Sequence, residues 1–195
     1  MIKNLLFVFF VLWFACLKAN ASNITFIENK GQWGTQPFYK AELPNTYTYF
    51  FKNNFTYLIA DTADMNRLRH DLHRYYEYKP QIDPSIHLHM LRAVFENSNT
   101  DVKVEGENKV SEYFNFYIGK DPQRWTSHVN GFQSLRYKNI YSNIDLVAYS
   151  ENGNLKYDFL LGKSALASAI KIKYEGADEM RLVNGQLRVK TSVGE

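Results

Sequence analysis

Apolar and polar residues alternate with a period of two through most of the chain, and turn-forming residues interrupt the alternation. That pattern predicts strands with one face buried and the other in water. Leu155, Tyr157, Phe159 and Leu161 fall on one side of such a strand, with Lys156 and Asp158 opposite. Ile170, Ile172 and Tyr174 repeat the arrangement around Lys171 and Lys173. Asn152-Gly153 and Asn184-Gly185 separate runs of this kind. Asn and Gly tolerate the positive φ angles of a type I′ turn, whose twist matches paired strands, so both pairs predict hairpins. Asn53-Asn54, between Tyr49-Phe50-Phe51 and Tyr57-Leu58-Ile59, predicts a third.

One segment has a different period. Met65, Leu68, Leu72 and Tyr75 or Tyr76 recur at spacings of three and four, which predicts an amphipathic helix over about 64–79. Asp61 or Asp64 is available as its N-cap, and Pro80 closes it. Such a helix is expected to pack across a sheet or cap an open end. Pro80, Asp83 and Pro84 then form a loop before a strand from His87 to Phe95, and the polar stretch over residues 97–108 reads as a loop. No repeat of 20 to 50 residues is visible. The fold class read from these patterns is mainly β, an antiparallel β-sandwich with one helix.

The first residues follow neither period. Lys3 precedes an apolar run from Leu5 to Leu17, and Ala19-Asn20-Ala21 follows. A positive start, a short apolar core and small residues at −3 and −1 of a cleavage site form the pattern of a secretory signal peptide. The run is shorter than the roughly 20 residues a transmembrane helix needs. The expected organisation is a signal peptide over 1–21, cleaved after Ala21 with Ala19 and Ala21 at −3 and −1, then one extracellular β-rich domain over 22–195, secreted or at the cell surface. Trp13-Phe14-Ala15-Cys16 loosely resembles the lipobox of bacterial lipoproteins, in which lipidation of the cysteine would anchor the protein.

Processing changes the charge balance. The whole chain has 23 Lys and Arg against 20 Asp and Glu, and removal of Lys3 and Lys18 leaves 21 against 20, a net charge of +1. Without a basic excess, no nucleic-acid partner is indicated. Cys16 is the single cysteine and lies in the leader, so disulfides and thiolate metal sites are excluded from the mature chain.

Candidate chemistry is sparse. His70 and His73 are spaced for one helix face, and His87 and His89 for one strand face, but a zinc site needs three or four converging ligands. Asp145 and Asp158 flank the Asn152-Gly153 turn, and paired carboxylates serve glycoside hydrolysis and calcium sites. The chain has no Gly-x-Ser-x-Gly elbow, phosphate-binding loop or dinucleotide fingerprint. Asn23-Ile24-Thr25 and Asn54-Phe55-Thr56 match the N-glycosylation sequon, and Asp61-Thr62-Ala63 resembles a short O-glycosylation motif. The 14 Tyr and 14 Phe fit half-buried strands, and Trp33 and Trp125, beside turn residues, are the rings for which packing follows least from the pattern. No catalytic, cofactor-binding or metal-ligating residue is assigned, and no cofactor is expected.

Several ordered motifs carry a resemblance. Phe26-Ile27-Glu28-Asn29-Lys30-Gly31-Gln32-Trp33 resembles the F-x-E-N-K-G-Q-W opening of a bacterial extracellular domain of unknown function. Tyr113-Phe114-Asn115-Phe116-Tyr117-Ile118-Gly119 with Asp121-Pro122 and Trp125 resembles its N-Y-F-x-G-x-D-P-x-x-W run. Tyr137, Tyr141 and Asn143-Ile144-Asp145-Leu146, then Leu155-Lys156-Tyr157-Asp158-Phe159, and finally Ile170-Lys171-Ile172 through Ala177, continue the match. The resemblance implies the N-terminal module of large surface proteins with SBBP β-propeller repeats or gliding-motility-associated, type IX secretion sorting domains. Because such proteins continue past the point where this chain ends, it also implies that the domain is incomplete here. It implies no catalytic residues. The expected function is a non-catalytic adhesion or scaffold module whose partners are a surface glycan or protein and the secretion machinery. A carbohydrate-binding module, or a carbohydrate-active enzyme using Asp145 and Asp158, is the alternative.

Overall fold

All three pairs read as hairpin turns join antiparallel strands. The computed structural model describes residues 23–34, 36–78 and 84–195; the expected leader, with Cys16, Ala19 and Ala21, lies outside the described residues, as does Pro80. Twelve strands are described: β1 (Phe26–Glu28), β2 (Tyr39–Leu43), β3 (Thr46–Phe50), β4 (Asn54–Ala60), β5 (Leu88–Phe95), β6 (Lys103–Phe116), β7 (Thr126–Tyr141), β8 (Ile144–Glu151), β9 (Asn154–Leu161), β10 (Ile172–Glu175), β11 (Glu179–Val183) and β12 (Gln186–Lys190). Helix α1 (Thr62–Tyr78) separates β4 from β5. Asn152 and Gly153 have φ of 52° and 76°, and Asn184 and Gly185 of 51° and 77°, the paired positive values a type I′ turn requires.

The architecture is mainly antiparallel β with a single α-helix among the described residues. Most of the strands belong to one curled sheet. Ten strands form one sheet in the order β10-β5-β4-β3-β2-β1-β7-β8-β9, with β6 also paired to β7, and β11 and β12 form a separate ribbon. β7 is long enough to serve several neighbours: along one side it pairs with β6, and on the other first with β1 and then with β8.

The sheet curls so that strands distant in its order meet face to face. Phe55 on β4 packs edge-on against Tyr137 on β7 and Tyr157 on β9, with ring centroids 5.6 Å apart in both cases. Phe95 on β5 meets Phe159 on β9 at 6.2 Å. Phe26, Phe50, Leu135, Ile140, Ile144 and Leu146 complete a fully buried centre. Each such side chain contributes about 1.5–3 kcal/mol on burial, so this apolar interior, without any disulfide, is the main source of stability.

Two expectations are corrected. Helix α1 lies over the sheet without burying a face on it: none of its described side chains is buried, and Leu72 is half exposed. It is held by polar contacts instead, with the Asp61 carboxylate accepting from the Asp64 N–H as N-cap and Arg69 donating to Asn45. The stretch over 97–108 is not all loop, because β6 starts at Lys103. Its charged residues belong to an edge strand, where Lys138 pairs with Glu105 and Arg136 with Glu107 across the ladder.

Candidate functional site

Asp145 and Asp158 do project from adjacent strands. Asp145 lies opposite Leu160 and Asp158 opposite Val147, so the two carboxylates are diagonal neighbours on the outer face of the β8-β9 hairpin. Each is separately engaged. The Asn139 N–H donates to Asp145 at 2.8 Å, and the Arg136 guanidinium lies 3.4 Å from its other oxygen. Asn139 has φ of 51° and sits in the register shift between β7 and β8, so Asp145 holds a bulge in place. Asp158 accepts from the Tyr149 hydroxyl at 2.9 Å, and that bond raises the Tyr149 phenol above its ordinary pKa.

The histidines disperse. His87 donates its backbone N–H to Asp64 at 2.9 Å, and its Nδ1 lies 2.7 Å from the same oxygen. His89 bridges the Gly176 carbonyl through Nε2 at 2.6 Å and Ser192 through Nδ1, tying β5 to the start and end of the β11-β12 ribbon. His70 contacts its neighbour Asp71. Among the described residues no group of three or more His, Cys, Asp or Glu side chains could hold a metal ion.

The segment from Phe26 to Trp33 is a clamp. The Asn29 side-chain amide donates to the carbonyls of Gly34 and Pro37, while its oxygen accepts from the N–H groups of Gly31 and Trp33. Gln32 bonds both the Glu28 carbonyl and the Lys30 N–H. Glu28 accepts from the Asn130 N–H at 2.8 Å, and Lys30 donates to the His128 carbonyl at 2.8 Å, fastening the loop to the start of β7. Trp33 packs edge-on against Phe116 at 5.3 Å, and the Lys40 ammonium lies 5.3 Å from its ring centre. This Trp is a structural strut.

The other described tryptophan stands at the tip of the β6-β7 hairpin. Asp121 accepts from the Gln123 N–H and, with Pro122, closes a 3-10 turn over Pro122–Arg124. That turn presents Trp125, whose indole N–H donates to the Gly119 carbonyl at 3.3 Å and whose ring meets Tyr117 edge-on at 5.6 Å. Beside them Tyr113 stacks on His128, with centroids 4.6 Å apart and planes at 17°. Tyr113 is 57% exposed, Tyr117 62% and Trp125 44%, and Ile118 between them is also open to solvent. The four rings stand in two pairs along the β6-β7 hairpin, and no described element buries them.

A family model described as a domain of unknown function, DUF7948, matches residues 26–195. The chain belongs to the DUF7948 family. No curated protein and no solved structure matches it. The matched span of this DUF7948 domain contains every described strand, so the clamp and the aromatic tip both fall inside it.

Sequence reasoning singled out Trp125 but missed its neighbours. Tyr117 meets Trp125, and Tyr113 meets His128, only because a hairpin folds between them, and the signal for that fold was Gly119 followed by Asp121-Pro122. A second concavity escaped it as well. A groove of about 440 Å³ in this DUF7948 domain runs between α1 and the outer sheet face, lined by Leu43, Tyr47, Leu58, Met65 and Leu88 with Arg69 at its side.

Proposed function

We propose that this domain is a non-catalytic recognition module, adhesion or scaffold in type, of an exported surface protein of the kind that carries SBBP repeats or a type IX sorting domain. It contacts its partner through the rings at the β6-β7 tip. The observation that carries this reading is the exposure of Tyr117 and Trp125 on a turn whose backbone is fixed by Asp121 and Gly119. Large rings on a rigid base lose little freedom on binding and anchor protein contacts. The separate engagement of Asp145 and Asp158 supports a module over an enzyme, and the apolar leader with its cleavage residues supports export.

A surface glycan is the second reading, favoured by the polar residues Asn115, Lys120 and Gln123 around the same rings. Both readings are tested on the exported chain with arrays of surface glycans and of purified envelope proteins, beside the double variant Tyr117→Ala, Trp125→Ala. Binding is expected to weaken at least about tenfold with the melting temperature unchanged. Equal binding by the variant overturns the assignment of the tip, and turnover of an arrayed glycan that disappears in Asp145→Asn overturns the non-catalytic reading.

A further inference from the structure

Every open sheet must protect the unpaired N–H and C=O groups of its outermost strands, and proteins do so with short edges, bulges, proline or inward-pointing charge. The described sheet has three open edges. β6 carries Lys103, Glu105, Glu107, Lys109 and Glu112, and its register to β7 shifts twice. β10 is four residues long with Lys173 and Glu175 on it, and Gly176 turns the chain away at φ of 89°. β9 carries Lys156 and Asp158, but it is neither short nor bulged. It runs for eight residues without proline or glycine, its register to β8 is unbroken from Ile144↔Leu161 to Glu151↔Asn154, and its inward side chains Leu155, Tyr157 and Phe159 are half-buried, the Tyr157 hydroxyl lying 3.2 Å from that of Tyr174 on β10. No described backbone hydrogen bond leaves its far side.

We propose that the free edge of β9 is a self-association surface, on which a second copy of this chain adds its own β9 antiparallel about a two-fold axis at Tyr157. The charge pattern selects both partner and register. In an antiparallel pair centred on Tyr157, Lys156 of each copy stands opposite Asp158 of the other, so two opposite-charge pairs form on the outer face. On the inner face Leu155 stands opposite Phe159 of the second copy, closing apolar surface that each copy leaves half open. Centring on Lys156 or on Asp158 sets like charges against each other, and an offset of one residue puts inward side chains opposite outward ones. Within each copy Lys156 pairs with Glu151 and Asp158 accepts from Tyr149, contacts that hold both charges on the outer face ready for the second copy. The ladder bonds supply the attraction, and the charges set the register.

The experiment is sedimentation equilibrium of the exported chain over a wide concentration range, alongside Lys156→Glu, Asp158→Lys and an equimolar mixture of the two. Wild type is expected to be dimeric. Each single variant places like charges opposite each other and is expected to weaken association at least about tenfold. The mixture is expected to restore a heterodimer, because the two acidic side chains that Lys156→Glu leaves on one copy then face the two basic ones that Asp158→Lys leaves on the other. Circular dichroism and thermal melts of both variants check that these solvent-facing substitutions leave the fold intact. A wild type that stays monomeric, single variants that associate as well as wild type, or a mixture that stays monomeric each overturn the proposal.

Discussion

Tyr137 is the largest fully buried side chain, and its hydroxyl has no hydrogen-bond partner among the described residues. Burial raises its pKa well above the ordinary phenol value, so the group stays neutral, but an unpaired buried hydroxyl still costs about 1–3 kcal/mol. Tyr137→Phe keeps the ring against Phe55 and Phe95 and is expected to leave the domain as stable or about 1 kcal/mol more stable in urea denaturation. A loss of stability of that size would show that the hydroxyl is satisfied. Gly106 has the opposite sensitivity. A Cβ there would lie 2.4 Å from the Phe132 ring, so Gly106→Ala is expected to destabilise by about 1–3 kcal/mol, read as a lower urea midpoint. Single residues were legible in the sequence where local geometry demanded them, as Asn152 and Asn184 show. Asn45, Asn139 and Asn143 also adopt positive φ, but no glycine follows them, and the β2-β3 turn, the β7 bulge and the β7-β8 turn went unread.

Among the elements, α1 has little apolar anchorage and leans on one carboxylate. Asp64 accepts first from the His87 N–H, then from its imidazole and from Arg67, and these bonds hold its pKa at about 2, below the ordinary 3.8. The unfolded chain therefore takes up this proton before the folded one does. The stabilisation is complete above the ordinary carboxylate range and is lost as pH falls through it towards 2. Urea midpoints measured across that window should fall more steeply with acid for wild type than for Asp64→Asn. The clamp after β1 depends on Asn29 in the same way: Asn29→Ala removes a side chain with four backbone partners and is expected to cost about 2 kcal/mol in chemical denaturation. The helix itself was legible from Met65, Leu68 and Leu72, yet its packing was not, because spacing reveals an apolar stripe without revealing what covers it. β6 was half missed for a related reason. A strand with one edge in water and charged cross-strand partners has the composition of a loop.

For the molecule as a whole, the β class and several hairpins followed from local alternation, but the curl of the sheet did not. It depends on rings such as Phe55 and Tyr157, which are remote in sequence and meet only when the sheet bends over them. The position of the first strand is another property that no local pattern carries. β1 lies between β2 and β7, pairing Ile27 with Lys40 on one side and Phe26 with Phe132 on the other. A ribosome releases this strand long before it has made the second of those neighbours. This early strand is thus among the last to find its place, and pairings this distant in sequence are slow to form. Until β7 exists, Phe26 remains a sticky, unhoused end, and whatever escorts the nascent chain has to keep hold of it for that interval.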